Sequence, residues 1–200
     1  MSMSPLILAS ASSARREMLA RAGVPFESHP VRVDEDAIRD SLVAEGANPR
    51  SIADTLAEFK ARRAADRNPD RLILASDQIL ALKQDIFSKP ATRSDAAGHL
   101  TQLSGKTHHL YSAAVIFEDA KPVWRHVGVA RMTMHALTTP EIEAYLDATW
   151  PSVSDCVGAY RAEGEGVRLF SRIDGDWYSV LGLPLLEVLS YLRLRGDLTP

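Results

Sequence analysis

The chain has 200 residues, 46% of them hydrophobic, with 23 lysines and arginines against 26 aspartates and glutamates. That apolar share can bury a core, which excludes disorder as the main state, and the formal charge of −3 speaks against a partner made of nucleic-acid phosphates. A single cysteine allows neither an internal disulfide nor a cysteine zinc site, and runs such as Leu6–Ala9 and Val180–Leu186 are too short to cross a bilayer.

In chain order, Pro5–Ser10 is a continuously apolar run of the kind buried on both faces of a sheet. No basic residue precedes it, so Met1–Pro5 does not read as a signal peptide, and a cytoplasmic protein with no membrane partner is expected. Ser12 or Ser13 then caps a helix that Gly23 stops. Phe26–Val33 reads as extended, Asp34-Glu35-Asp36 as an acidic stretch, and Ser51–Arg67 as a helix broken at Asn68-Pro69-Asp70. Arg71–Ser76 repeats the character of the first strand. Ile79–Leu82 and Asp85–Phe87 suggest a hairpin through Lys83-Gln84.

Ser94–Leu103 reads as a helix ended by Ser104-Gly105. His109–Phe117 and Pro122–His135 read as strands, antiparallel across the polar turn Glu118–Lys121. Thr139-Pro140-Glu141 opens a helix, with Thr139 as its cap and proline at its first position. A loop from Gly158 to Gly166 leads to a strand at Val167–Ile173, and Leu185–Leu194 closes the chain as a helix. The pattern predicts an α/β fold with a mixed sheet and flanking helices, one domain over residues 1–200 without repeat or long linker.

Two strand–loop units carry the chemistry. Leu8-Ala-Ser-Ala-Ser-Ser-Ala-Arg-Arg16 joins hydroxyls, a helix start and two arginines, a set that can hold an anion or can equally be a capped surface helix. Leu72-Ile-Leu-Ala-Ser-Asp77-Gln78 sets a carboxylate at the C-terminal end of a central strand, where ligands collect, although a turn aspartate reads the same way. Asp34-Glu35, Lys60 and Lys89-Pro90 supply further charge. Together these would make a metal-assisted phosphate site. Cys156 among apolar neighbours reads as packing, and the histidines lack metal-ligand spacing.

The ordered set Leu8-Ala-Ser-Ala-Ser-x-x-Arg-Arg16, Val33-Asp-Glu35, Lys60-Ala61, Ser76-Asp77-Gln78, Lys89-Pro90, Leu103-Ser-Gly105, Gly158-Ala-Tyr160 and Gly182-Leu-Pro-Leu185 resembles the Maf family over residues 5 to 195. The resemblance implies two lobes around a deep cleft, as in inosine triphosphate pyrophosphatases. It also implies cleavage of nucleoside triphosphates to monophosphate and pyrophosphate with Mg²⁺, Mn²⁺ or Co²⁺. Carried over by position, Asp77 is the catalytic carboxylate and shares the metal with Glu35. Ser10, Arg15, Lys60 and Lys89 hold the triphosphate. A homodimer is also compatible with the resemblance, though no heptad specifies one.

Substrate branches of the family differ at the positions of Ala14, Gln78 and Glu163. The branch acting on dTTP and UTP carries Arg, Thr and Gln there, and the branch acting on 7-methyl-GTP carries Trp, Gln and Glu. This chain agrees with the second branch at Gln78 and Glu163 and departs from both at Ala14, where either another aromatic, Trp177 or Tyr178, replaces the missing one or selectivity is relaxed. Pyrophosphatase action on dTTP and UTP, a non-catalytic nucleotide-binding regulator of cell division and an orthophosphate-releasing phosphatase remain the alternative readings.

Overall fold

A computed structural model of the chain describes residues 5–198; the first four residues, on which the reading against a signal peptide partly rests, lie outside it. Among the described residues, seven strands form one mixed sheet. β1 (Leu6–Leu8) lies between β2 (Phe26–Ser28) and β3 (Ile73–Leu82) with parallel pairing on both sides. From β3 onward the sheet is antiparallel, through β5 (Thr107–Glu118) and β6 (Lys121–Met134) to β7 (Phe170–Asp174), and β4 (Asp85–Phe87) folds back on the end of β3.

Helices cover both faces. α3 (Pro49–Ala65) packs on one face with Ile52, Leu56 and Ala61 against Ile73, Ala75 and Val115. α1 (Ser13–Arg21) and the closing helix α7 (Leu185–Arg195) cover the other through Leu19, Val188 and Leu192 against Leu74, Ala114 and Ile116. A second lobe forms where β3, β5 and β6 run on past β1. There Leu80, Leu110 and Met132 pack with α4 (Arg93–Leu103), α5 (Thr139–Thr149) and Tyr160. The β3–β4 hairpin and the antiparallel β5–β6 pair agree with the sequence reading.

Four local expectations are corrected. Asp34-Glu35-Asp36 opens a helix, α2 (Glu35–Ala44), whose cap is the Asp34 side chain accepting from the Ala37 N–H at 3.0 Å. No residue of α2 is fully buried, and its apolar stripe is short, the pair Ile38 and Leu42 one turn apart against the core. β3 is one strand of ten residues, because Asp77 and Gln78 find polar partners and need not end it. Thr138, not Thr139, caps α5, through a capping box with Glu141. Residues Glu165–Leu169 form a 3-10 turn ahead of β7, and a short helix, α6 (Trp177–Val180), precedes α7. Among the described residues no helix is long and apolar enough to cross a membrane.

Candidate active site

The cleft lies where β3 lacks a neighbour. β5 pairs β3 along one edge from Ile73 to Ala81, whereas on the other edge β1 reaches only Ile73 and Leu74 and β4 only Leu80–Leu82. Residues 75–79 are therefore left with an open edge, and a cavity of about 750 Å³ occupies the gap. That volume suits a small-molecule ligand. Asp77 thus stands in the middle of a strand beside a notch, a correction to its expected place at a strand end.

Alternation along β3 sends neighbouring side chains to opposite faces. Asp77 faces α3, where buried Lys60 meets it; the ammonium contacts Oδ1 of Asp77 and Oε1 of Glu35 at 2.9 Å. Lys60 therefore joins α3, β3 and the first turn of α2. Burial pushes the Asp77 carboxyl above the usual carboxylate range, against the pull of Lys60 and Arg15. Burial likewise lowers the Arg15 guanidinium, partly offset by Asp77 and Glu35. Arg15 still keeps its charge, since arginine does not deprotonate in proteins.

Arg15 ties three segments together. Nε donates to the Gly182 carbonyl at 2.7 Å, and Nη1 donates to the Ser76 carbonyl on the open edge at 2.9 Å and to Ser10 Oγ at 3.3 Å. Gly182 has φ of +96°, and a Cβ there would lie 3.3 Å from Nη2 of Arg15, so glycine keeps this approach open. Ser10 is buried behind Arg15 and is not in the cavity wall, which Arg15 itself reaches. Lys89 is exposed at the opposite rim, in the loop between β4 and α4.

Ala14, Gln78 and Glu163 line the same cavity, on α1, on β3 and on the loop after Tyr160. The NH₂ group of Gln78 is committed inward, donating to Ser112 Oγ at 2.9 Å and to the carbonyls of Ser179 and Val180 at 3.1 Å each. Trp177 and Tyr178 are exposed on α6 and are not among the lining residues, so neither replaces an aromatic at position 14. The aromatic side chains that do line the cavity are Phe87 and Tyr160.

Sequence reasoning missed Arg39, held by Asp36 at 2.7 Å and Asp40 at 3.0 Å on the unforeseen α2. It also missed Arg161, whose Nε lies 3.4 Å from Cys156 Sγ. The Gly-Ala-Tyr160 motif just before Arg161 was the available signal for it. Cys156 lines the cavity, but burial raises its thiol, and the buried His108 bonds Tyr160 instead (Nε2 to the hydroxyl, 2.8 Å). A cysteine–histidine nucleophile gains no support.

Seven carboxylates and five cationic side chains line the cavity, so a tetra-anionic triphosphate would enter a wall that is not positive on balance. Among the described residues no three carboxylate, histidine or cysteine side chains converge as a protein-only metal cage. Glu35 and Asp77, brought together on Lys60, do suit a hard divalent ion whose shell is completed by phosphate oxygens and water, the usual manner of Mg²⁺.

The family profile described as Maf-like protein matches residues 5–195. The chain is 69% identical to nucleoside triphosphate pyrophosphatase 1 of Jannaschia sp. (strain CCS1), covering 99% of this chain and 100% of that protein. It is 54% identical to the nucleoside triphosphate pyrophosphatase of Roseobacter denitrificans (strain ATCC 33942 / OCh 114), over 97% and 98% of the two chains. A 7-methyl-GTP pyrophosphatase of Rhizobium etli (strain ATCC 51251 / DSM 11541 / JCM 21823 / NBRC 15573 / CFN 42) is 44% identical over 96% and 97%. Among solved structures, a HAM1 protein from Coxiella burnetii superimposes with a TM-score of 0.46 over 66% of this chain and 73% of that one, at 19% identity.

Proposed function

The chain belongs to the Maf family, and on that premise we propose that it is a nucleoside triphosphate pyrophosphatase, cleaving between the α- and β-phosphates to give a nucleoside monophosphate and pyrophosphate. The observation that carries this reading is the meeting of Asp77, Lys60, Glu35 and Arg15 at the open edge of β3 inside one cavity.

In this reading Asp77 orients the attacking water and takes its proton. A carboxyl raised by burial is a better base near neutral pH than an exposed one. Lys60 keeps Asp77 aimed into the cavity, and with Arg15 and Lys89 it meets the nonbridging oxygens that gather charge in the transition state. Ser10 acts by holding Arg15. Glu35 and Asp77 would hold a divalent ion, which when bound supplies charge neutralisation on the phosphates. In this reading the water that Asp77 orients attacks the α-phosphorus, and pyrophosphate leaves.

For the base, Glu163 supplies a pair of charged acceptors, whereas the Gln78 NH₂ donors are spent within the protein. A carboxylate pairs with the N1–H and amino group of guanine and favours the positive charge of an N7-methylated ring, whereas thymine and uracil offer no such pair of donors. We therefore place guanine-type, N7-methylated nucleotides ahead of dTTP and UTP, in line with the 7-methyl-GTP pyrophosphatases among the relatives. The test is a panel of canonical and methylated triphosphates offered to the purified protein with Mg²⁺, Mn²⁺ or Co²⁺, with products separated by ion exchange. Monophosphate plus pyrophosphate is expected. Orthophosphate alone marks a phosphatase, and binding without turnover marks a nucleotide-binding regulator.

A further inference from the structure

Three residues outside the catalytic cluster line up across the sheet, one fully buried and two half-buried. In the β3–β5 register Gln78 stands opposite Ser112, and in the β5–β6 register Ser112 stands opposite Gly128. Gln78, Ser112 and Gly128 thus form one cross-strand row on the face opposite Asp77. Fully buried Ser112 donates its hydroxyl to the Ser179 carbonyl at 2.6 Å and accepts from Gln78 Nε2 at 2.9 Å. Gln78 in turn donates to the Ser179 and Val180 carbonyls. At the far end of the row a Cβ on Gly128 would lie 2.1 Å from Ser179 Oγ and 3.3 Å from Cβ of Pro184, so the chain at Ser179 rests directly on the glycine. Two residues back along β3, on the same face as Gln78, Ser76 Oγ donates to the Gly182 carbonyl at 2.8 Å.

What this row supports is a wall of the cavity. Val180 and Leu181 line it, whereas Ser112 and Gly128 do not. We infer that Ser112 and Gly128 are positioning residues for substrate choice: with Gln78 they form a bed that fixes the 179–182 turn, and so set how far Val180 and Leu181 stand from the base. The inference rests on the pyrophosphatase reading. It gives position 78 a way to influence base choice through the wall it holds, without its amide reaching the base. Removing the Ser112 hydroxyl takes one of two hydrogen bonds from the Ser179 carbonyl and one acceptor from the Gln78 NH₂, which loosens the turn on its bed. Adding a methyl at Gly128 pushes the same turn away without altering any polar group. The two changes act on one wall by unrelated physics.

The test compares wild type, Ser112→Ala, Gly128→Ala, Gln78→Thr and the Ser112→Ala/Gln78→Thr double variant, all as the full chain, on GTP, 7-methyl-GTP, dTTP and UTP, with kcat and KM measured separately. The expected result is a change of about tenfold or more in the purine-to-pyrimidine ratio of kcat/KM in each single variant, carried mainly by KM, with the double variant less than additive. If Ser112→Ala fails to fold, Gly128→Ala and Gln78→Thr carry the same comparison. The inference is overturned if the folded variants keep the wild-type ratio within twofold, or lose kcat equally on every base. A wild-type protein that hydrolyses none of the four substrates would instead overturn the pyrophosphatase reading.

Discussion

Asp77 is where a charge is held against its solvation. It is buried, Lys60 and Arg15 compensate it, and Glu35 adds a second carboxylate to the same ammonium. Asp77→Asn keeps the shape and removes the proposed base, so turnover is expected to fall by about 10²–10³ or more while nucleotide binding, read by calorimetry, persists. His108 offers a separate test by pH. It is wholly buried, and burial lowers its ring from 6.5 to about 4. Between those values the unfolded chain binds a proton that the folded chain refuses. The stability due to neutral His108 is thus complete above about pH 6.5 and lost as pH falls toward 4. The loss is on the order of 3 kcal/mol by linkage. Urea unfolding from pH 7 to pH 4 should show it, and His108→Gln should flatten that slope.

Elements differ in how plainly the sequence announces them. β1, α3, β5 and β6 carry strong apolar patterns, and the two apolar strand–loop units of the sequence bring Arg15 and Asp77 to one place. α2 is easily passed over because its apolar stripe is the single pair Ile38 and Leu42; that i, i+4 pair, a cap at Asp34 and an acidic first turn are its signals. The notch in β3 is hidden for another reason. It arises from where β1 stops and β4 begins, a pairing relation that no local pattern of β3 contains. The commitment of the Gln78 amide depends on Ser179, some hundred residues away, and is equally invisible. The loop bearing Glu163 is anchored by Gly158, where φ is +76° and an added Cβ would meet Leu80 Cδ1 at 2.5 Å. Gly158→Ala is expected to cost about 2–4 kcal/mol in unfolding free energy, from left-handed backbone and overpacking together. Denaturant midpoints would measure this, and a shift under about 0.5 kcal/mol would mean that the loop is free to relax.

At the scale of the whole molecule, two lobes share three long strands. α1, α2 and α3 bring Arg15, Glu35 and Lys60 from one side, while the loops around Lys89 and Glu163 close the other. In the proposed reading the phosphates lie on the charged floor at β3, the base lies by the wall beside Gln78, and the α-phosphorus faces Asp77. Hydrolysis in ¹⁸O-labelled water, with the products analysed by mass spectrometry, reads that assignment directly. One labelled oxygen in the nucleoside monophosphate and none in pyrophosphate is the predicted outcome. Label in pyrophosphate, or release of labelled orthophosphate, would contradict an attack directed by Asp77 at the α-phosphorus.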